Sequence, residues 1–405
     1  ENLSKLLGHL PPAVFREFMV EEFELTMPAL DKKQTKRDQR AEMETVLSGL
    51  DINHRQRIEE VAERIVLLSD GAGQDVIEGF RDDIFDPKDQ EAFAGIRNQY
   101  ERALWLHINA PTLFDEAMNA RQADVFRQSA SCYSGFIAPK DLSVLEDEPS
   151  RQAFHHAVAE ELGCEIDSVA VQVFKRLRPD TQTGEEVDLY QISVHHNRPP
   201  EIIDCVQASE LVSQEVVRAV SSHITYEPAN GHLEVLSKDT DGREALARIV
   251  ADSLLQSPIT GEKIPLKQYD YQSLAGPRNF DIAGEAVASV KVIELGYLGD
   301  NHRSLMVKIW TKDADDIHAA ARSLISPQFD FRDHQINYAK ISIRTKQVGA
   351  DRARTISVIL RDDNKCNIKT KREKDRALCD RLLVKWNLVK VIGHVPEETL
   401  DTLAA

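Results

Sequence analysis

The hydrophobic period of the sequence changes once, near residues 136–140, and this change constrains the fold more than any other feature. Before it, apolar residues recur every three or four positions; after it, they alternate with polar residues. The first pattern is typical of amphipathic helices and the second of strands with one buried face. The sequence therefore predicts an α+β multidomain protein, in which an all-helical N-terminal domain precedes mixed antiparallel-sheet-plus-helix domains.

The length of the chain predicts where these domains lie. At 405 residues it exceeds what one hydrophobic core usually supports. We expect a helical domain over residues 1–136, an α+β middle domain over 140–257, and an α+β C-terminal domain over 258–405 that ends in a basic helix. A connector with Pro258, Pro265 and Pro277 follows the middle domain.

Three segments illustrate the helical pattern of the first domain. Apolar residues of HRQRIEEVAERIVLLSD fall on one stripe, and PPAVFREFMVEEFEL places two prolines near a helix start. The segment DPKDQEAFAGIRNQYERALWLHI is interpreted as one further helix, with Phe93, Ile96, Tyr100 and Leu104 facing inward.

The middle and C-terminal domains carry strand signals. SVAVQVFKRLR and EVDLYQISVHH are predicted to be antiparallel neighbours joined by PDTQTGEE, and ITYEPANGHLEVLSK a hairpin with a two-residue turn at Asn230 and Gly231. The helix DGREALARIVADSLL follows. After the connector we expect the order strand, strand, helix, strand, strand, helix. The last helix is predicted to begin at Thr370, with Glu373 completing a capping box.

Composition excludes several classes of protein. No run of about 18 apolar residues is present, so we expect no membrane span. The first fifteen residues show no secretory signal, and five scattered cysteines without a CxxC pair favour reduced thiols. These features predict a cytoplasmic protein without a cysteine metal site, and no pattern indicates a cofactor.

A basic segment stands out against the acidic remainder. The chain has a formal net charge of −17, yet residues 336–390 carry 15 Lys and Arg against 6 Asp and Glu, a local charge of +9. Such segregation can create a surface that attracts a polyanion. The predicted nucleic-acid contacts are the following residues: Lys365, Lys369, Lys371, Arg372, Lys374, Arg381 and Lys385. Two alternatives stay open: local pairing with Glu373, Asp375 and Asp380, or docking on acidic protein surface.

Catalytic patterns are weak. The chain contains no GxxxxGK[ST], HExxH or GxSxG motif, so no recognisable catalytic motif supports an enzyme. Histidines 195 and 196 end a predicted strand near Asp188 and are the candidates for a metal-dependent hydrolase or nuclease site in the middle domain.

Two further groups have plainer explanations than catalysis. His156, Glu160 and Cys164 recur every four residues like zinc ligands, but Gly163 is expected to end their helix before Cys164. The aspartates at 313, 315 and 316 could hold Mg²⁺, although their place at a predicted helix start favours capping.

These observations lead to one expected function and two alternatives. We expect a cytoplasmic, non-catalytic nucleic-acid-associated binding or regulatory protein. A place in a multi-protein system acting on DNA, such as bacterial defence, is compatible with it. The N-terminal helical domain would bind a protein partner or a second copy of the chain. The alternatives are the metal-dependent hydrolase or nuclease and a pure protein-interaction subunit.

Overall fold

The computed structural model describes residues 2–391 except 85, 128, 180–184, 208–209, 260–266, 299–306, 311–316, 348–351 and 363. The chain divides into two compact units, residues 1–125 and 126–405. The first is helical, and the second contains antiparallel sheets with helices, which confirms the predicted α+β multidomain class. The finer boundaries at 136 and 257 stay predictions.

The first unit consists of helices. Their bounds are α1 (Asn2–His9), α2 (Pro12–Phe23), α3 (Lys36–Ser48), α4 (Ile52–Leu68), α5 (Gly71–Glu78), α6 (Pro87–Gly95), α7 (Gln99–Asn109) and α8 (Pro111–Arg127), the last running two residues into the second unit. As predicted, α2 begins at the proline pair, and α4 turns one apolar stripe inward, with Ile58, Ile65 and Leu68 buried and Val61 partly buried.

One segment of this unit that was predicted to be a single helix forms two helices. The segment 86–109 breaks between α6 and α7, and the prediction of one continuous helix is wrong. Asn98 has an extended backbone, and its side chain accepts hydrogen bonds from the amides of Tyr100 and Glu101 at 2.9 and 3.3 Å. An asparagine that caps free amides in this way starts a new helix. Of the four predicted inward positions, Phe93 and Leu104 are buried, and Ile96 and Tyr100 are partly buried.

The second unit begins with a five-stranded antiparallel sheet in the order β1-β7-β6-β3-β2 and an isolated hairpin, β4–β5. The elements are β1 (Tyr133–Ile137), α9 (Glu148–Leu162), β2 (Val169–Pro179), β3 (Glu186–Asn197), β4 (Glu201–Gln207), β5 (Glu210–Val216), β6 (Ala219–Glu227), β7 (His232–Leu236) and α10 (Gly242–Val250), which continues as a π-helix over Ala251–Leu255. The predicted pairing of β2 with β3 is confirmed. Their predicted turn falls largely on residues outside the described ones.

A second sheet, ordered β10-β9-β11-β12-β13, follows in the same unit. Its elements are β8 (Lys267–Tyr269), β9 (Val287–Leu298), β10 (Val307–Trp310), α11 (Ile317–Leu324), β11 (Gln335–Thr345), β12 (Thr355–Arg361), β13 (Lys365–Cys366), α12 (Glu373–Lys385) and β14 (Val389–Val391). The predicted element order is found, with two short additions, β13 and the β8–β14 pair.

Each sheet has its own hydrophobic core. Ile192, Ile224 and Val235 of the first sheet pack with α9 and α10, including Phe154 and Leu246. The second core joins strands β9, β11 and β12 to α12 through side chains such as Ile341, Val358, Leu382 and Trp386. Among the described residues, no helix has the length and apolar character that a membrane crossing needs.

The β6–β7 hairpin is present, but its loop differs from the predicted two-residue turn. Glu227 pairs with His232, so four residues form the loop, and Gly231 has a positive φ of 71° while Asn230 does not. Pro228 directly after Glu227 has no N–H to extend the ladder. The Gly231 carbonyl accepts a 2.8 Å hydrogen bond from the Ala138 amide, so this loop also holds the chain after β1.

Two glycines with similar backbone angles allow the cost of this close approach to be measured. Gly231 and Gly163 have φ of 71° and 62°, but a Cβ on Gly231 would lie 2.2 Å from the Ala138 oxygen, whereas Gly163 meets nothing within 4 Å. We expect Gly163→Ala to lower the free energy of unfolding by about 1 kcal/mol and Gly231→Ala by about 3 kcal/mol. Equal losses in urea denaturation would contradict this account of the loop.

Candidate functional site

One face of the first sheet buries polar side chains instead of exposing them. Gln191, Ser193, His223 and Thr225 alternate with the apolar core residues of β3 and β6, and at most 1% of each is exposed. Because neighbouring residues of a strand face opposite sides, these side chains lie together on the face away from α9 and α10. The sheet is therefore buried on both sides.

Hydrogen bonds connect part of this polar face. Ser193 Oγ lies 2.9 Å from Nδ1 of His223, and Nδ1 of His195 lies 2.8 Å from Ser221 Oγ. Burial, together with the nearby His195 and Arg127, lowers the pKa of His223 to about 3. His223 is therefore neutral at physiological pH.

A buried ion pair joins this face to the C-terminal helix. Arg176 of β2 donates from Nη1 and Nη2 to the two carboxylate oxygens of Glu373 in α12, at 3.0 and 3.2 Å. The side chains are 1% and 3% exposed. A bidentate arginine–carboxylate pair fixes both position and orientation, so it sets where α12 begins relative to β2.

This pair also explains why the predicted capping box is wrong. Helix α12 begins at Glu373, and Thr370 belongs to a preceding 3₁₀ helix, Asn367–Thr370, where its hydroxyl donates to the Asn367 carbonyl at 2.7 Å. The Glu373 carboxylate binds Arg176 instead of reaching back to a Thr370 amide. The contact of Glu373 with Arg176, 197 residues away in the sequence, therefore takes the place of the predicted capping contact.

The ion pair borders a cavity of about 730 Å³ between the polar sheet face and the C-terminal basic segment. Four arginines line it: Arg127, Arg178, Arg361 and Arg376. Three lysines do so as well: Lys267, Lys365 and Lys369. The carboxylates among its described lining residues are Glu234, Glu373 and Asp380, so the lining has an excess of four positive charges.

Glu234 lies at the centre of these charges. Its carboxylate accepts a 2.9 Å bond from Arg127 Nε and a 3.2 Å bond from Thr225. Burial alone would raise the pKa of Glu234, but Arg127, Arg178 and Arg376 outweigh that effect and hold it well below its usual value. The carboxylate is therefore ionised, and its charge is shared by several cations.

Lys369 sits above an aromatic ring in the same cavity. Its Nζ lies 3.2 Å from the centroid of Tyr133, the first residue of β1. Burial lowers the pKa of Lys369 to about 8, although Glu234 opposes the shift. A partly desolvated ammonium over a ring gains from the negative face of that ring.

The predicted contact residues thus separate into groups. Lys365 is exposed at the edge strand β13 and lines the cavity together with Lys369. Lys374 is exposed in the first turn of α12, and Lys371 is partly buried just before it.

The remaining predicted contacts lie beside carboxylates of the protein. Arg381 is 3.2 Å from Glu285, and Lys385 is 3.2 Å from Asp281 and donates to the Ala283 carbonyl at 2.7 Å. Arg372 lies 3.4 Å from Asp375. The seven cations therefore do not form one continuous outward-facing surface.

The candidates for hydrolysis are not brought together. Asp188 lies 3.2 Å from Lys175 and is seven residues from His195 on the same strand, roughly 23 Å away. Within the described part of the chain, no group of three His, Cys, Asp or Glu side chains could hold a metal ion. Gly163 ends α9 as predicted, in the left-handed region. The aspartates at 313, 315 and 316 lie outside the described residues.

Sequence reasoning missed several cavity residues outside the basic segment. Arg127, Tyr133, Arg178 and Glu234 come from α8, β1, β2 and β7, which are far apart in sequence. The sequence does contain an indication of these residues, because the predicted strands include the charged positions of KRLR and HLEVL. Charged residues in a strand are rarely buried without partners, so burial of that strand would imply a charged site.

Comparison with known proteins adds no family. The sequence matches no protein-family model, and a search of curated proteins finds no relative.

The buried histidine predicts how stability depends on pH. The pKa of His223 is about 3 when folded and about 6.5 when unfolded. Between these values the unfolded chain binds a proton that the folded chain does not, so stability falls as pH falls through this window, by as much as about 4 kcal/mol. We measure the free energy of unfolding in urea at several acidic pH values. In His223→Gln we expect this free energy to decrease less as pH falls. In the control His156→Gln, which changes an exposed histidine, we expect the same decrease as in wild type. Identical slopes in the two variants would disprove the assignment.

Proposed function

We propose that the chain is a nucleic-acid-associated binding protein and that Lys365, Lys371 and Lys374 contribute its phosphate contacts. The observation that carries this proposal is the position of these lysines within ten residues, beside a cavity whose described lining has four excess positive charges. Long cationic side chains on short, well-anchored elements can contact successive phosphates without rearranging the core.

The anchoring of this segment supports the proposal. Lys371 and Lys374 flank the start of α12, which the Arg176–Glu373 pair fixes to β2, and Lys365 lies on β13, which pairs with β12. The cations at Arg381 and Lys385, which face Glu285 and Asp281, are secondary in this scheme because they lie about two and three helical turns beyond Lys374, away from the start of α12.

The wider role remains part of the same proposal. A cytoplasmic location, a place in a multi-protein system acting on DNA such as bacterial defence, and assembly through the N-terminal helical unit are all compatible with phosphate binding at the C-terminal end. The acidic remainder, with a charge of −26 outside residues 336–390, would limit contact with phosphates to this end of the chain.

A salt titration of binding tests the proposal. The wild type is compared with a Lys365→Glu, Lys371→Glu, Lys374→Glu variant on duplex DNA, single-stranded DNA and RNA, by fluorescence anisotropy. We expect wild-type affinity to fall steeply with salt, and the triple variant to lose at least about tenfold in affinity and about three units of the log–log salt slope on duplex DNA. The matched control, Arg381→Gln with Lys385→Gln, should bind within about threefold of wild type.

The other outcomes separate the alternatives. No binding to any of the three polymers at low salt, or equal binding by the triple variant, would overturn the proposal. Salt-insensitive association with protein alone would indicate a protein-interaction subunit. Metal-dependent cleavage of a nucleic acid that is lost in His195→Ala or His196→Ala would indicate the hydrolase.

A further inference from the structure

The basic cavity has properties that a polynucleotide surface does not require. It is recessed between the polar sheet face and α12, and three of its four arginines are largely removed from water: the side chains of Arg127, Arg178 and Arg376 are 3%, 12% and 10% exposed, whereas Arg361 is exposed. A duplex backbone needs an open surface, so these groups suit a smaller ligand that enters the cavity.

The internal ion pairs do not balance the charge of this cavity. Arg127 pairs with Glu234, Lys267 with Asp380, and Arg376 lies 3.4 Å from Glu373. Arg178 pairs with Glu227, the last residue of β6. With Arg176 and Glu227 included, the described residues around the cavity still carry four more cations than carboxylates. Two of the cations, Arg361 and Lys365, are exposed to water, so the excess among the buried and partly buried groups is two.

An excess of buried positive charge has a large desolvation cost unless an anion compensates it. Phosphate monoesters carry close to two negative charges near neutral pH and several acceptor oxygens, which suit lysine and arginine donors. The described lining supplies such donors from both sides, with Arg178 on β2 and Lys369 on the 3₁₀ helix before α12.

The size and apolar part of the lining point to an organic ligand. At about 730 Å³ the cavity is within the range of small-molecule sites and far larger than a phosphate ion needs. Pro179, Tyr269, Ile359 and Ala377 line it beside the charged groups. Such a mixture of apolar walls and convergent cations can hold an organic body and its charged end together.

We propose that this cavity binds a phosphorylated organic molecule of about nucleotide size, with Lys369 and Arg178 among the groups that receive its phosphate. This site goes beyond the proposed nucleic-acid surface, from which it differs in its buried arginines, and it does not depend on that surface. The ammonium of Lys369 would exchange part of its contact with the Tyr133 ring for the phosphate oxygens.

Isothermal titration of the full chain with adenosine 5′-monophosphate, uridine 5′-monophosphate and ribose 5-phosphate tests the proposal, with adenosine and inorganic phosphate as partial ligands. We expect at least one phosphorylated probe to bind at least tenfold more tightly than inorganic phosphate, and adenosine to show no binding. Lys369→Met, which keeps an apolar stem over Tyr133 and removes the charge, should weaken that probe at least tenfold. Lys374→Gln, outside the cavity lining, should leave it unchanged.

Two results would overturn this inference: none of the three phosphorylated probes binds better than inorganic phosphate, or Lys369→Met binds them as wild type does. Lys365→Gln at the exposed edge of the cavity replaces Lys369→Met if the latter shows altered thermal unfolding, and it should weaken the probe at least threefold. Because Lys371→Glu with Lys374→Glu affects only polynucleotide binding in this scheme, failure of one proposal leaves the other measurable.

Discussion

The buried ion pair between Arg176 and Glu373 is the constraint on which the candidate site depends. Both groups are almost fully removed from water, so each has a desolvation cost that the other offsets, and Arg376 at 3.4 Å places a second cation beside Glu373. The pair joins the middle sheet to the start of α12, and the 3₁₀ helix that carries Lys369 lies directly before that start. Because the ion pair holds the start of α12 beside β2, Lys369 lies over Tyr133, and residues of α12 form part of the cavity lining.

The positive charge of residues 336–390 is consequently divided between different environments. Lys374 is exposed, Arg381 and Lys385 face carboxylates of residues 281–285, and Lys369 turns inward toward Glu234 and Tyr133. A surface lysine and a cavity lysine differ in their electrostatics, because water screens the first and burial strengthens interactions of the second. One basic segment can therefore serve two anionic ligands, a polymer outside and a small molecule inside.

Much of the fold could be predicted from local pattern, since strand alternation and helix periodicity reflect burial on one side of an element. This reasoning gave the β2–β3 pair, the β6–β7 hairpin and the element order of the C-terminal region. It failed where a polar side chain had a specific partner: Asn98 starts a new helix, and Glu373 leaves its local capping position for Arg176. The candidate site was only partly predictable, because Arg127, Arg178 and Glu234 meet through tertiary contacts, and alternation alone assigns such polar positions to solvent.

A double-mutant cycle between Arg176 and Glu373 tests the central claim most directly. The free energies of unfolding of Arg176→Met, Glu373→Gln and the double variant are measured against wild type by urea denaturation, with near-ultraviolet circular dichroism reporting tertiary structure. If the pair anchors α12 to β2, each single variant loses about 3 kcal/mol and the coupling energy is at least about 2 kcal/mol. Additive losses, with a coupling energy below about 0.5 kcal/mol, would contradict the claim.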